Sequence, residues 1–113
     1  INRIPYDGEI IFEKYNKGKY LAAFSEKASL DNEQMMIGIR TAKGDMLVKQ
    51  IAGLIARRII CIPKKTEKVN RGAIYGMIKF GSRTDLLIES DIEITVKLGD
   101  KVKGGETILG RFL

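Results

Sequence analysis

The chain has no histidine and only one cysteine in 113 residues. Without histidine, no Ser-His-Asp or Cys-His nucleophilic arrangement can be assembled within these residues. The commonest transition-metal ligand is missing with it. One cysteine and no histidine leave a structural zinc site close to excluded. Cys61 has no partner for an internal disulfide. Its place in the apolar run Ile59-Ile60-Cys61-Ile62 reads as a buried, inert thiol in a reducing compartment. Long hydrophobic runs are missing too. A helix that spans a bilayer needs about 18 apolar residues, and the longest candidate, Ile51 to Ile62, is interrupted by Arg57 and Arg58. The start shows no signal-peptide pattern. It opens on Ile1 instead of Met, so we expect a piece of a longer chain, with any membrane anchor upstream.

What is present is the composition of one globular domain, 44% hydrophobic and 30% charged. The net charge of +6 suits solubility, or attraction to an anionic lipid surface or nucleic acid. Basic residues and aromatics do not interleave into a nucleic-acid module, so no nucleic-acid partner is expected.

The patterning is mostly strand and turn. Glu9 to Glu13 and Met35 to Arg40 are strand candidates, and Tyr15 to Lys19 reads as a turn. Ala28 to Glu33 suits a short helical turn. Ala42-Lys43-Gly44-Asp45 reads as a hairpin turn returning through Met46 to Gln50. Ile51 to Ile62 leans towards strand, bent near Gly53. An internal echo relates Lys68-Val69-Asn70-Arg71-Gly72 to Lys101-Val102-Lys103-Gly104-Gly105. Each is a turn feeding an apolar stretch, with a glycine suited to positive φ. Together with "IPYDGEI", the echo resembles lipoyl- and biotin-carrier barrels. The expected fold is therefore mostly β, a flattened barrel-sandwich hybrid in a single domain, 1–113. A carrier of that kind presents one lysine at a hairpin tip. Lys27 and Lys79 are the places to look, although both also read as ordinary surface residues, and this non-enzymatic carrier or interaction barrel stays open as an alternative.

Five motifs occur in order: "NRIPYDG", "EKASLDNE", "QIAGLIARRI", "YGMIKFGSR" and "GDKVKGGETILG". In this order and spacing they resemble the C-terminal portion of the short bacterial and archaeal type of phosphatidylserine decarboxylase. "IAGLIARR" and "FGSR" are the most specific parts. The resemblance implies a proenzyme that breaks its own Gly81–Ser82 bond. Ser82 attacks the Gly81 carbonyl, and β-elimination and hydrolysis then leave a pyruvoyl group on the new N-terminus. Residues 1–81 become part of a β-chain and 82–113 an α-chain. The pyruvoyl carbonyl derived from Ser82 then forms a Schiff base with the serine amine of phosphatidylserine and acts as the electron sink for loss of CO₂. No metal is required. The implied setting is the cytoplasmic side of the cell membrane.

Arg57, Arg58 and Arg83, within the matched motifs, and Arg3 in "NRIP" suit the substrate's phosphate and carboxylate. Each also suits a solvated face or an ion pair. Arg83 has the best case through its closeness to Ser82. The family's self-cleavage uses an aspartate and a histidine as well, both expected upstream of Ile1. Asp7-Gly8 is not expected to replace that aspartate, and these 113 residues alone are expected to neither mature nor decarboxylate.

Overall fold

The alternation in residues 35–50 becomes a hairpin at the centre of the molecule. In the computed structural model, which describes residues 1–18, 32–53, 59–78 and 82–113 (Ser82 by its backbone), ten strands follow one another. They are β1 (Asn2–Arg3), β2 (Gly8–Asn16), β3 (Gln34–Thr41), β4 (Gly44–Ala52), β5 (Ile59–Cys61), β6 (Lys68–Val69), β7 (Ile74–Ile78), β8 (Ser82–Ile88), β9 (Ile92–Ile94) and β10 (Gly110–Phe112). β3 and β4 form the central hairpin, with Ile37 opposite Val48 and Ile39 opposite Met46. These four side chains share one face and all are buried. Period-two alternation requires this when one face of a sheet is covered.

β2 pairs with the outer side of β3 and β8 with the outer side of β4, so five strands run in the order β6-β2-β3-β4-β8. A second sheet, β1-β7-β5, stacks on the buried face, and β9 and β10 form a separate ribbon. Every described pairing is antiparallel. Ile4, Ile10, Ile37, Ile39, Val48 and Tyr75 make the core between the sheets. The fold is mostly β, as the patterning predicts.

Two local expectations need correction. The turn expected over Tyr15 to Lys19 does not include its first two residues, and Lys19 lies outside the described residues. Tyr15 and Asn16 stay in β2, opposite Met35 and Gln34. A partner strand rewards extended backbone at a tyrosine more than the Asn-Lys-Gly run rewards turning. The helical turn expected over Ala28 to Glu33 is not helical at its described end. Asn32 and Glu33 are fastened to Ala52 instead: the Ala52 amide donates to the Glu33 carbonyl at 2.9 Å and the Asn32 side-chain amide donates to the Ala52 carbonyl at 2.6 Å. Residues 28–31, the apolar run at 20–24, and Lys27 and Lys79 lie outside the described residues.

The echo between the two lysine-valine turns is real in the backbone. Gly72 and Gly105 occupy matching positive φ values of 84° and 79°, where a side chain is strained. Arg3 ties both turns together. Its guanidinium donates to the Gly72 carbonyl at 2.8 Å, and a Cβ on Gly105 would strike its side chain.

Cys61 sits beside this core on β5. Burial, assisted by Glu13 and opposed by Lys64, pushes its thiol up to about 11 from 9.0. Only the thiolate is nucleophilic. At pH 8 the folded protein should therefore react with iodoacetamide about 100-fold more slowly than the unfolded chain, since each pKa unit is a tenfold change in thiolate. Equal rates, read by mass spectrometry with and without denaturant, would contradict the burial.

Candidate active site

Ser82 is the first residue of β8, ahead of Leu86-Leu87-Ile88, and stands opposite Ala52. The ladder makes this position unusual. Because the Ala52 amide donates to Glu33 on the β3 side, Ala52 turns its backbone polar groups away from β8. Antiparallel pairs alternate between bonded and non-bonded, so Ala52 and Ser82 form a non-hydrogen-bonded pair. The Ser82 N–H therefore points off the edge of the five-stranded sheet. The peptide nitrogen of the Gly81–Ser82 bond carries no ladder bond to β4, and opening that bond breaks none of the pairing that holds β8.

A polar row lies next to this position. Tyr15, Met35, Gln50 and Thr84 are consecutive register partners across four strands. Gln50 is fully buried, and its side chain is held at both ends. It accepts from the Asn2 amide at 2.7 Å and donates to the Ile60 carbonyl at 3.1 Å, which clips the two sheets together. Thr84 donates to the other side of Asn2 at 3.1 Å. Asn2, Gln50 and Thr84 thus form a connected network one row from Ser82, and buried amides need such partners.

The row containing Ser82 runs through Ala52 to Glu33. Glu33 is only 6% exposed. Tyr15 donates its hydroxyl to Oε2, while Oε1 is buried with no hydrogen-bond partner among the described residues. Tyr15 shares its face with Met35, Gln50 and Thr84, so the Glu33 carboxyl lies on that face too. Glutamate is seldom this deeply buried unless paired.

Arg83 stands opposite Ile51, on the other face from Thr84 and Gln50. Asp85 grips its guanidinium in a two-pronged ion pair, with Nε at 2.6 Å and Nη2 at 3.2 Å. Arg3 belongs to the turns described above, with its guanidinium on the Gly72 carbonyl. Gly81, Arg57 and Arg58 lie outside the described residues. Reading the sequence for reactive residues passed over Asn2, Glu33, Gln50 and Thr84. The first three lie within "NRIPYDG", "EKASLDNE" and "QIAGLIARRI", so the motifs themselves were the available signal.

Comparison with known proteins fits this picture. The family model for phosphatidylserine decarboxylase matches residues 1–110. A phosphatidylserine decarboxylase proenzyme of Geotalea uraniireducens is 47% identical over 111 residues, covering 97% of this chain and 52% of the relative. The proenzyme of Syntrophotalea carbinolica is 50% identical over 111 residues, covering 97% and 52%. That of Chlorobium limicola is 42% identical over 112 residues, covering 99% and 53%. The chain thus spans about half the length of the curated relatives it matches. No solved structure matches it.

Proposed function

The chain belongs to the phosphatidylserine decarboxylase family, and from that membership we propose that it carries the self-processing and catalytic core of a pyruvoyl-dependent carboxy-lyase that makes phosphatidylethanolamine from phosphatidylserine. The Ser82 hydroxyl attacks the Gly81 carbonyl, and the chain parts into segments 1–81 and 82–113, the second headed by a pyruvoyl group made from Ser82. Once present, that group supplies the electron-withdrawing carbonyl that makes loss of CO₂ feasible. The observation that carries this reading is the position of Ser82. It starts an edge strand, its amide is off the ladder, the small Ala52 stands opposite, and a fixed polar network borders it.

That setting fits a group formed from the chain itself. Asn2, Gln50 and Thr84 supply polar atoms beside it, and strand β8 holds it in register without using its nitrogen. Arg57, Arg58 and Arg83 are the proposed contacts for the lipid's phosphate and carboxylate, with Arg83 shared between substrate and Asp85. The proposed setting is the cytoplasmic surface of the cell membrane, and the net charge of +6 suits an anionic lipid surface. The two stacked sheets are proposed to close as a flattened barrel-sandwich hybrid like that of lipoyl and biotin carriers.

The test is the state of one bond. Intact-mass analysis of the full-length protein should find two chains, one ending at Gly81 and one starting with a pyruvoyl group at Ser82, the latter blocked to Edman sequencing. A single uncleaved chain in an active preparation sinks the proposal. The same spectra read any covalent group on Lys27 or Lys79, which the carrier alternative requires.

A further inference from the structure

Self-cleavage has an energetic difficulty that the Ser82 row addresses. Turning the Gly81–Ser82 amide into an ester is uphill, because amide resonance is lost. In this step the Ser82 Oγ–Gly81 carbon bond forms and the Gly81 carbon–Ser82 nitrogen bond opens. The hydroxyl proton passes to the nitrogen, and one further proton from solvent makes it an ammonium. A new ammonium beside a protein core is costly unless a negative charge receives it. The ester then reverts to the amide.

We propose that Glu33 is the counter-ion for this newly formed Ser82 ammonium, and so a further residue of the self-processing site; the proposal rests on the reading of Gly81–Ser82 as the scissile bond. Three observations meet at Glu33. Its carboxyl is 6% exposed, and Oε1 has no partner among the described residues. Leaving a buried acceptor unsatisfied is costly in the resting chain, which marks the oxygen as waiting for a donor. Its row leads straight to Ser82: the Glu33 carbonyl accepts from the Ala52 amide at 2.9 Å, and Ala52 is the register partner of Ser82. Two strand spacings of about 4.8 Å separate the row's ends. The residue between them is alanine, whose side chain is a single buried methyl. Finally, the Ser82 nitrogen has no ladder bond to β4. After cleavage it hangs from the first residue of the strand and can turn onto that face. Arg83, the described cation nearest in sequence, is already paired with Asp85 on the opposite face.

The ester is measurable directly, because hydroxylamine cuts it and leaves a Gly81 hydroxamate. In full-length precursor made by in vitro translation, Glu33→Gln is expected to lower the hydroxylamine-sensitive fraction at least tenfold and to slow maturation in proportion. Glu33→Asp, which keeps the charge at shorter reach, is expected to recover most of it. A hydroxylamine-sensitive fraction in Glu33→Gln equal to wild type overturns the proposal. So does an ester that forms normally and stalls before elimination. If Glu33→Gln does not melt cooperatively, Tyr15→Phe decides. Removing the competing donor on Oε2 frees the carboxylate, so the ester fraction should rise, and a fall overturns the proposal. A wild-type precursor that never breaks at Gly81–Ser82 refutes the family-based reading instead.

Discussion

Full-length protein carrying Ser82→Ala is expected to stay one uncleaved chain and to make no phosphatidylethanolamine. The substitution removes one oxygen and keeps the β-carbon. Strand β8 is held to β4 by backbone pairing from Met46 opposite Ile88 to Ala52 opposite Ser82, and none of that depends on the hydroxyl. The fold should therefore survive, with a melting temperature within a few degrees of wild type. Chemistry should not. Without the oxygen there is no ester, no elimination and no carbonyl at the new terminus. Loss of a nucleophile that works as part of a unit costs on the order of 10⁴-fold or more in rate. Intact mass and turnover of phosphatidylserine in vesicles check both halves. Residual cleavage at Gly81–Ser82 would mean that another group attacks, and turnover by the uncleaved chain would mean that the carbonyl is not needed.

Gly76→Ala should be a strongly damaging small change outside the reactive bond. Gly76 lies in the middle of β7, opposite Asn2 on one side and Cys61 on the other. A Cβ there would run into the Ile60 carbonyl and would meet Gln50 Nε2 at 2.5 Å and Oε1 at 2.7 Å. The Ile60 oxygen is backbone and cannot swing aside. Either β5 moves off β7, or Gln50 is pushed from its bonds to Asn2 and Ile60. Overpacking costs about 1–3 kcal/mol, and a buried amide left without partners about as much again. Against a typical total of about 5–15 kcal/mol, this should lower the melting temperature by roughly 10 °C or more. Self-cleavage should slow as well, since Gln50 and Thr84 border Ser82. Thermal unfolding by circular dichroism is the measurement. A variant that melts with the wild type would show that the sheets are not clipped together at Gln50.

Some of this was open to reading without coordinates. Strand β3 and the hairpin at Ala42-Lys43 follow from strand-forming and turn residues, which are local signals, and β7 lies in the apolar stretch that the first lysine-valine turn feeds. The paired glycine turns at Gly72 and Gly105 were legible as an echo in the chain. Tyr15 and Asn16 were not, because a strand partner more than fifteen residues away decided against the turn their neighbours favour. Arg83 is a second case: closeness in sequence to Ser82 carries no information about its face, and strand alternation puts it on the face opposite Thr84 and Gln50, in an ion pair with Asp85.

The sequence by itself determined the kind of chain this is: a mostly β chain without histidine, with a Gly–Ser bond in a family motif. These follow from residue types and short spacings, which need no partner to be read. Only the tertiary structure decided what surrounds that bond. The off-ladder amide of Ser82 depends on which way Ala52 turns its own polar groups. The buried carboxylate of Glu33 and the Asn2–Gln50–Thr84 network are set by contacts between residues up to 82 positions apart. Register across several strands carries such contacts, and register is a property of the assembled sheet that no short stretch of the chain contains.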